Sequence, residues 1–270
     1  MPATEPVDVH VQGDRLTFFG HSTVLIEMAG RRILTDPVLG HVLWSLRRRV
    51  EPVSADRLGD VDAVFISHGH FDHLDLPSLR MLRGRPEVIV PVGLGRAVER
   101  AGLGRVHEVT VGDRVTIGGV EIEATAAAHD GRRWPWATAS DSLGILVSSG
   151  SAATVYFAGD TDLFPAMADL AGRVDVALLP VGGWGPRLGR GHLDPQRAAE
   201  AAALIGPVVA VPIHWGTYSP FGLHRLVGSR FDAPGPAFAE AAARCAPAVL
   251  VRILASGAAM ALPDRHVRTG

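Results

Sequence analysis

The stretch VDAVFISHGHFDH, residues 61–73, decides how the rest of the chain is read. Its first half, 61–67, is an apolar, β-branched run of strand length, as expected for a buried strand of an internal sheet. Its second half sets His68, His70, Asp72 and His73 within six residues. In an extended chain His68 and His70 point to the same side, because side chains alternate with period two. Asp72 and His73 fall where the chain begins to turn, facing a second point nearby. Imidazole and carboxylate are the ligands that borderline divalent ions such as zinc take. The spacing therefore predicts one metal position on His68 and His70 and a neighbouring one on Asp72 and His73.

Each position is short of ligands, and three later residues stand directly after predicted strands. His129 follows VEIEATAAA, Asp160 follows TVYFAG and His214 follows VVAVPI. All three are expected to converge on one edge of the strands, where a rigid scaffold aims side chains carried by loops. Asp160 has no positive neighbour in GDTD and is the most economical bridge between two ions.

Around these residues, strands are expected at 16–19, 23–28, 31–35, 87–91 and 106–109. A hairpin at 114–128 turns on Gly118-Gly119. Further strands are expected at 142–148, 153–158, 174–179, 208–212 and 248–262. Helices are expected near 76–83, 94–102, 163–171, 195–205 and 236–245. Asp194-Pro195 reads as an N-cap followed by a first-turn proline. Residues 37–60 hold no clear period. Two sheets packed face to face with helices outside satisfy this order of elements.

The 270 residues carry 47% apolar and 20% charged side chains and a formal net charge of −2. That composition is globular and disfavours a nucleic-acid binder. All 26 basic residues are arginine, so catalysis through a lysine Schiff base or a P-loop lysine is excluded. The single cysteine, Cys245, excludes a disulfide framework and is expected in the core. The N-terminus lacks a basic and apolar leader. The longest nearly apolar run, 201–213, is shorter than the about 20 residues a membrane span needs. The expectation is one cytoplasmic domain over 1–270, with its core at about 15–262, no integral membrane association and a small-molecule substrate. Oligomeric state is not encoded in any visible period.

HxHxDH at 68–73 followed by His129, Asp160 and His214, with Asp36 in LTDP ahead of them, resembles the metallo-β-lactamase superfamily. GHSTVLIE at 20–27, AGDTD and GHLDP at 191–195 are similar to one branch of it. That branch contains L-ascorbate-6-phosphate lactonase and N-acylphosphatidylethanolamine-hydrolysing phospholipase D. Asp162 departs from the glycine that commonly follows GDT there. The resemblance implies an α/β fold, a four-layer αββα sandwich of two mixed sheets flanked by helices, with a dinuclear site at one edge. It implies that His68, His70 and His129 hold one ion and that Asp72, His73 and His214 hold the other. Asp160 bridges the two, and Asp36 orients a ligand.

The expected reaction is metal-dependent hydrolysis of a small ester, lactone or phosphodiester by a metal-bridged hydroxide, the ions roughly 3.5–4 Å apart. Asp72 is the catalytic residue that orients the nucleophile and takes a proton. Zinc is favoured, and manganese or iron suits the same ligands. His21 and His192 are candidate substrate contacts, as are Trp184 and Tyr218. Arg132 and Arg133 would receive an anionic group. Segments 37–60 and 131–141 are candidate lids. A mononuclear iron dioxygenase on the same scaffold and a nuclease-type phosphodiesterase are the alternatives; the full ligand set argues against the first and the lack of a basic surface against the second.

Overall fold

The computed structural model describes residues 13–131, 140–150, 152–185, 188–222 and 230–265. Two seven-stranded sheets face each other. One runs in the order β17 (Ala258–Ala261), β1 (Arg15–Gly20), β2 (Thr23–Met28), β3 (Arg31–Thr35), β6 (Ala63–Phe65), β7 (Glu87–Pro91), β8 (Val106–Val109). The other runs β16 (Leu250–Val251), β14 (Val209–Ile213), β13 (Val176–Pro180), β12 (Val155–Phe157), β11 (Asp141–Ser148), β10 (Val120–Asp130), β9 (Arg114–Ile117). Each sheet is antiparallel on one side and parallel on the other, the change falling at β3 and at β12. The parallel strands β6, β13 and β14 are apolar along their whole length, as strands covered on both faces must be.

Three apolar layers result. Phe18, Ile26, Phe65, Ile122, Phe157 and Val211 meet between the sheets. The outer face of the first sheet packs on α1 (Ala55–Leu58), α2 (Leu76–Met81) and α3 (Gly95–Glu99), through Leu25, Val64, Leu79 and Val98. The outer face of the second packs on α4 (Pro195–Ile205) and α5 (Pro234–Cys245), through Tyr156, Ala177, Ala199 and Phe238. Each fully buried large side chain contributes about 1.5–3 kcal/mol, so these layers outweigh the surface ion pairs at about 0–1 kcal/mol apiece. The αββα expectation holds. Among the described residues no helix is long and apolar enough to cross a membrane.

Several local expectations need correction. The run 61–67 forms a strand only over Ala63–Phe65; Ile66 N still donates to Ile89 O of β7, and Ser67 O turns away to accept from Leu143 N of the other sheet. The segment 248–262 is two short strands in different sheets, β16 beside β14 and β17 beside β1. Pro165–Leu170 is a 3-10 turn rather than an α-helix. Cys245 is exposed on the last turn of α5. The segment 37–60 folds into β4 (Val42–Leu43), β5 (Leu46–Arg48) and α1; the two strands join β15 (Tyr218–Pro220) in a small third sheet.

Candidate metal centre

The ligand candidates gather where strands of both sheets end. Asp36 directly follows β3, His214 directly follows β14, and His21 lies in the β1–β2 turn. All three hold positive φ, 35°, 61° and 54° respectively, a conformation that side-chain-bearing residues adopt only when their surroundings impose it. His129 sits where the β10–β11 register slips, the three residues 127–129 between the paired Ala126 and Asp130 standing opposite the single Ser142 on β11. Such a bulge re-aims a side chain. Asp160 follows β12 through Gly159, whose φ is 61° and whose added Cβ would meet Leu143 O and Ser67 Cβ at 2.8 Å. Only glycine fits that approach. Asp194 caps α4 by accepting from Arg197 N at 2.8 Å, which fixes His192 two residues upstream.

The geometry fixes the tautomers. His73 Nδ1 donates to Asp36 Oδ2 at 2.6 Å, and His214 Nδ1 donates to Gly182 O at 2.9 Å. His129 Nδ1 donates to Gly191 O at 2.8 Å. Ser67 N and Oγ both donate to Asp36, at 2.7 and 2.6 Å, so the Ser67 hydroxyl oxygen is left to accept from His68 Nδ1 at 2.9 Å. A histidine whose Nδ1 proton is committed turns a lone pair outward from Nε2. Those lone pairs converge. His73 Nε2 and His214 Nε2 are 3.1 Å apart. Asp160 oxygens lie 3.2 Å from each, and Asp72 Oδ2 lies 3.6 and 3.4 Å from them. His68 Nε2 and His129 Nε2 lie 3.0 and 3.2 Å from His70 Nδ1.

Acceptors crowded this closely repel unless a cation stands among them. Asp160 Oδ1 is buried with no hydrogen-bond donor, although it is within ion-pair distance of His214. At 3.2 Å that oxygen faces a nitrogen with no proton to share, because His214 has committed its proton to Gly182. The residues therefore fit divalent metal. His68, His70 and His129 form one set of close ligand atoms, and His21, Asp72, His73 and His214 form another. Asp160 joins both regions, close to His68 and His73 on one side and to His129 and His192 on the other.

Burial lowers the pKa of His21 to about 3, with His214 adding to the effect. Burial likewise lowers His129 to about 4 and lowers His68 and His70. His73 is opposed by burial yet raised well above 6.5 by Asp160, Asp72 and Asp36, the field that would attract a metal cation. Burial disfavours charge on Asp72 and Asp160, but surrounding histidines hold both well below the usual carboxylate range.

These shifts predict acid lability of the metal-free protein. A histidine lowered in the fold contributes stability that is full above pH 6.5 and is lost as pH falls towards its folded value. For His129 the window is 6.5 to about 4, and for His21 it is 6.5 to about 3. His68 and His70 act in the same direction, while His73 and His192, both raised, act oppositely. Asp36, raised by burial, joins the opposing side, and the four lowered histidines against these three groups leave a net loss. Metal-stripped protein should melt several degrees lower at pH 5 than at pH 7, each kcal/mol moving the midpoint by roughly 2–4 °C. An equal or higher midpoint at pH 5 would contradict the neutral-histidine assignment.

The remaining candidates divide. His21 is buried and its Nε2 lies 2.9 Å from Asp72 Oδ2, which also accepts from Trp184 Nε1 at 3.0 Å. Its ring lies against that of His214, centroids 4.0 Å apart. His192 Nε2 lies 3.3 Å from Asp160 Oδ2 at the pocket wall. Tyr218 lies beneath the site and not on its wall, its hydroxyl held by Arg48, Val38 O and Gly40 O. Arg132 and Arg133 lie outside the described residues, as does most of segment 131–141. Sequence reasoning passed over Ser67, which relays Asp36 to His68, because a strand-end serine carries no distinguishing pattern.

A family model described as "Beta-lactamase superfamily domain" matches residues 31–215, a span that takes in Asp36, HxHxDH, His129, Asp160, His192 and His214. A UPF0173 metal-dependent hydrolase of Rubrobacter xylanophilus is 32% identical over 222 residues, covering 77% of this chain and 84% of its own. N-acyl-phosphatidylethanolamine-hydrolyzing phospholipase D 1 of Caenorhabditis elegans is 28% identical over 240 residues, 76% of this chain but 64% of that protein. In fold, the chain is similar to Igni18, a metallo hydrolase of Ignicoccus hospitalis, with TM-score 0.70, 24% identity and coverage of 92% and 97%. The chain belongs to the beta-lactamase superfamily, among its metal-dependent hydrolases.

Proposed function

We propose that the chain hydrolyses a small-molecule ester, lactone or phosphodiester at two divalent cations held side by side. His68, His70 and His129 would hold one, Asp72, His73 and His214 the other, and Asp160 would span them. The observation that carries this reading is the convergence of His73 Nε2, His214 Nε2 and the carboxylates of Asp160 and Asp72 within 3.1–3.6 Å, with each histidine's other nitrogen already committed. When bound, such ions supply Lewis acidity and lower the pKa of a shared water from ~15.7 towards neutrality.

The chain's own residues do the rest. His21 and Trp184 fix Asp72, which orients the attacking water and receives its proton. His192 faces the same pocket, and although burial opposes it, Asp160 raises its pKa. It would donate a proton to the departing oxygen as the C–O or P–O bond breaks.

Elemental analysis of full-length protein purified without chelator or histidine tag tests the reading. About two zinc or manganese ions per chain, with ester or phosphodiester hydrolysis that is lost on chelation and restored by the metal, are expected. About one iron per chain, with no hydrolysis gained on adding zinc or manganese, would sink it.

A further inference from the structure

Above the ligand cluster the wall changes character. A cavity of about 380 Å³, within the range of small-ligand pockets, is floored by Asp72, Asp160, His192 and His214. Its sides are Leu43, Leu46, Phe71, Trp184 and Leu188, with Trp44 at the rim. No arginine lines it among the described residues, and the chain has no lysine.

Trp44 is the first residue of the two-residue turn joining β4 to β5, where Leu43 pairs with Leu46. It is 75% exposed, and its φ is 51°. Glycine or asparagine takes such a position at least cost, and an exposed indole gains the fold little burial. The ring instead lies over Phe71, the centroids 5.9 Å apart and the planes 24° from parallel, between His70 and Asp72 in sequence. The hairpin behind it is fastened down. Arg48 is buried and donates to Val38 O at 2.9 Å, Tyr218 Oη at 3.0 Å, Glu51 O at 3.1 Å and also to Phe19 O. The apolar wall is thus held in place before any ligand arrives.

We propose that this cavity is the subsite for an apolar, uncharged acyl chain of the substrate, and that Trp44 and Leu188 set the preference for it. The inference rests on the hydrolase reading, since it places the chain of a carboxylic ester or lactone beside the ligand cluster. Its backbone position makes Trp44 a specificity residue that can be removed without cost to the fold.

Equilibrium binding of acetate and octanoate to the zinc-loaded full chain, by titration calorimetry, tests the subsite without requiring turnover. The carboxylates stand in for the acyl product. Burial of two methylenes alone gives about tenfold tighter binding, so octanoate should bind at least about tenfold more tightly than acetate. Trp44→Gly and Leu188→Ser should each cut that ratio severalfold while leaving acetate binding unchanged, and Trp44→Phe should keep most of it. A ratio near one in the native protein would overturn the proposal. So would a ratio that neither variant changes, or variants that weaken acetate as much as octanoate. Should no ester be hydrolysed, the hydrolase reading fails on its own, and the chain-length ratio still decides the subsite.

Discussion

Replacing Asp160 by alanine should reduce kcat/KM on a p-nitrophenyl ester or bis(p-nitrophenyl) phosphate by about 10³-fold, the several kcal/mol that a metal's charge stabilisation supplies. If the proposed dinuclear site holds, it should also lower bound metal from two ions per chain to about one. Asp160 is chosen because its carboxylate alone, among the described residues, falls within both halves of the ligand cluster, beside His68 and His73 and beside His129 and His192. Its Oδ1 is buried with no donor, and its Oδ2 contacts His73 and His192 of the same cluster rather than the surrounding fold. The strand that carries it is built from Val155, Tyr156 and Phe157, all fully buried and untouched by the change. Far-ultraviolet circular dichroism should therefore match the native protein while metal and activity fall together. Full activity with two ions retained would mean that Asp160 is a bystander and the cluster is not bridged through it. Asp160→Glu, which keeps the charge one methylene further out, should recover part of the metal content but little of the rate, because bridging depends on reach as well as charge.

Much of the fold could be read from the chain because its long apolar runs are buried strands and its helix α4 carries explicit end signals. Asp194, Pro195 and Gly206, the last at φ 61°, bound that helix in sequence as they do in space. The candidate ligands were visible for a related reason: His68, His129, Asp160 and His214 each end a run whose hydrophobicity stops abruptly, and His70, Asp72 and His73 follow His68 at ligand spacing. The edge placement of His21 follows from hairpin geometry, since the start of β2 and the end of β3 share an edge. What stayed hidden depends on contacts distant in sequence. The third sheet is made of strands of two or three residues, and β5 finds its partner β15 some 170 residues later, so no local period marks it. Arg47-Arg48-Arg49 reads as a solvated run. Yet Arg48 is buried under the site, and Arg49 pairs with Asp232 at 2.7 Å, because carbonyls and a carboxylate from remote loops meet there. Trp44 is one aromatic in an unpatterned segment, and only its turn geometry and its stacking on Phe71 give it meaning.

Asp36→Asn should weaken both metal-binding steps, each by about 10–100-fold as expected for loss of a ligand's orienting partner, although Asp36 reaches only one half of the cluster directly. Asp36 Oδ1 accepts from Ser67 N, while Oδ2 accepts from both Ser67 Oγ and His73 Nδ1. An asparagine that keeps its oxygen on Ser67 N must turn its amide NH₂ towards the other two. His73 Nδ1 then has to accept, which moves its proton to Nε2, into the metal position. Ser67 Oγ also has to accept, and its own proton is turned towards His68 Nδ1, 2.9 Å away. His68 is driven to the same wrong tautomer. The opposite amide orientation sets NH₂ against Ser67 N–H and leaves a buried donor unpaired, at about 1–3 kcal/mol. One buried carboxylate therefore governs ligands in both halves of the cluster, which distance alone does not suggest. Competition with a calibrated chelator reads the two affinities separately, and long-range ¹H–¹⁵N spectra of the metal-free protein read the tautomers. An Nε2–H signal from His68, which burial keeps neutral, should appear in the variant and be absent from the native protein. Weakening of a single step, with His68 unchanged, would confine Asp36 to His73 and break the relay through Ser67. Alanine at the same position cannot make this distinction, because it frees both donors instead of reversing them.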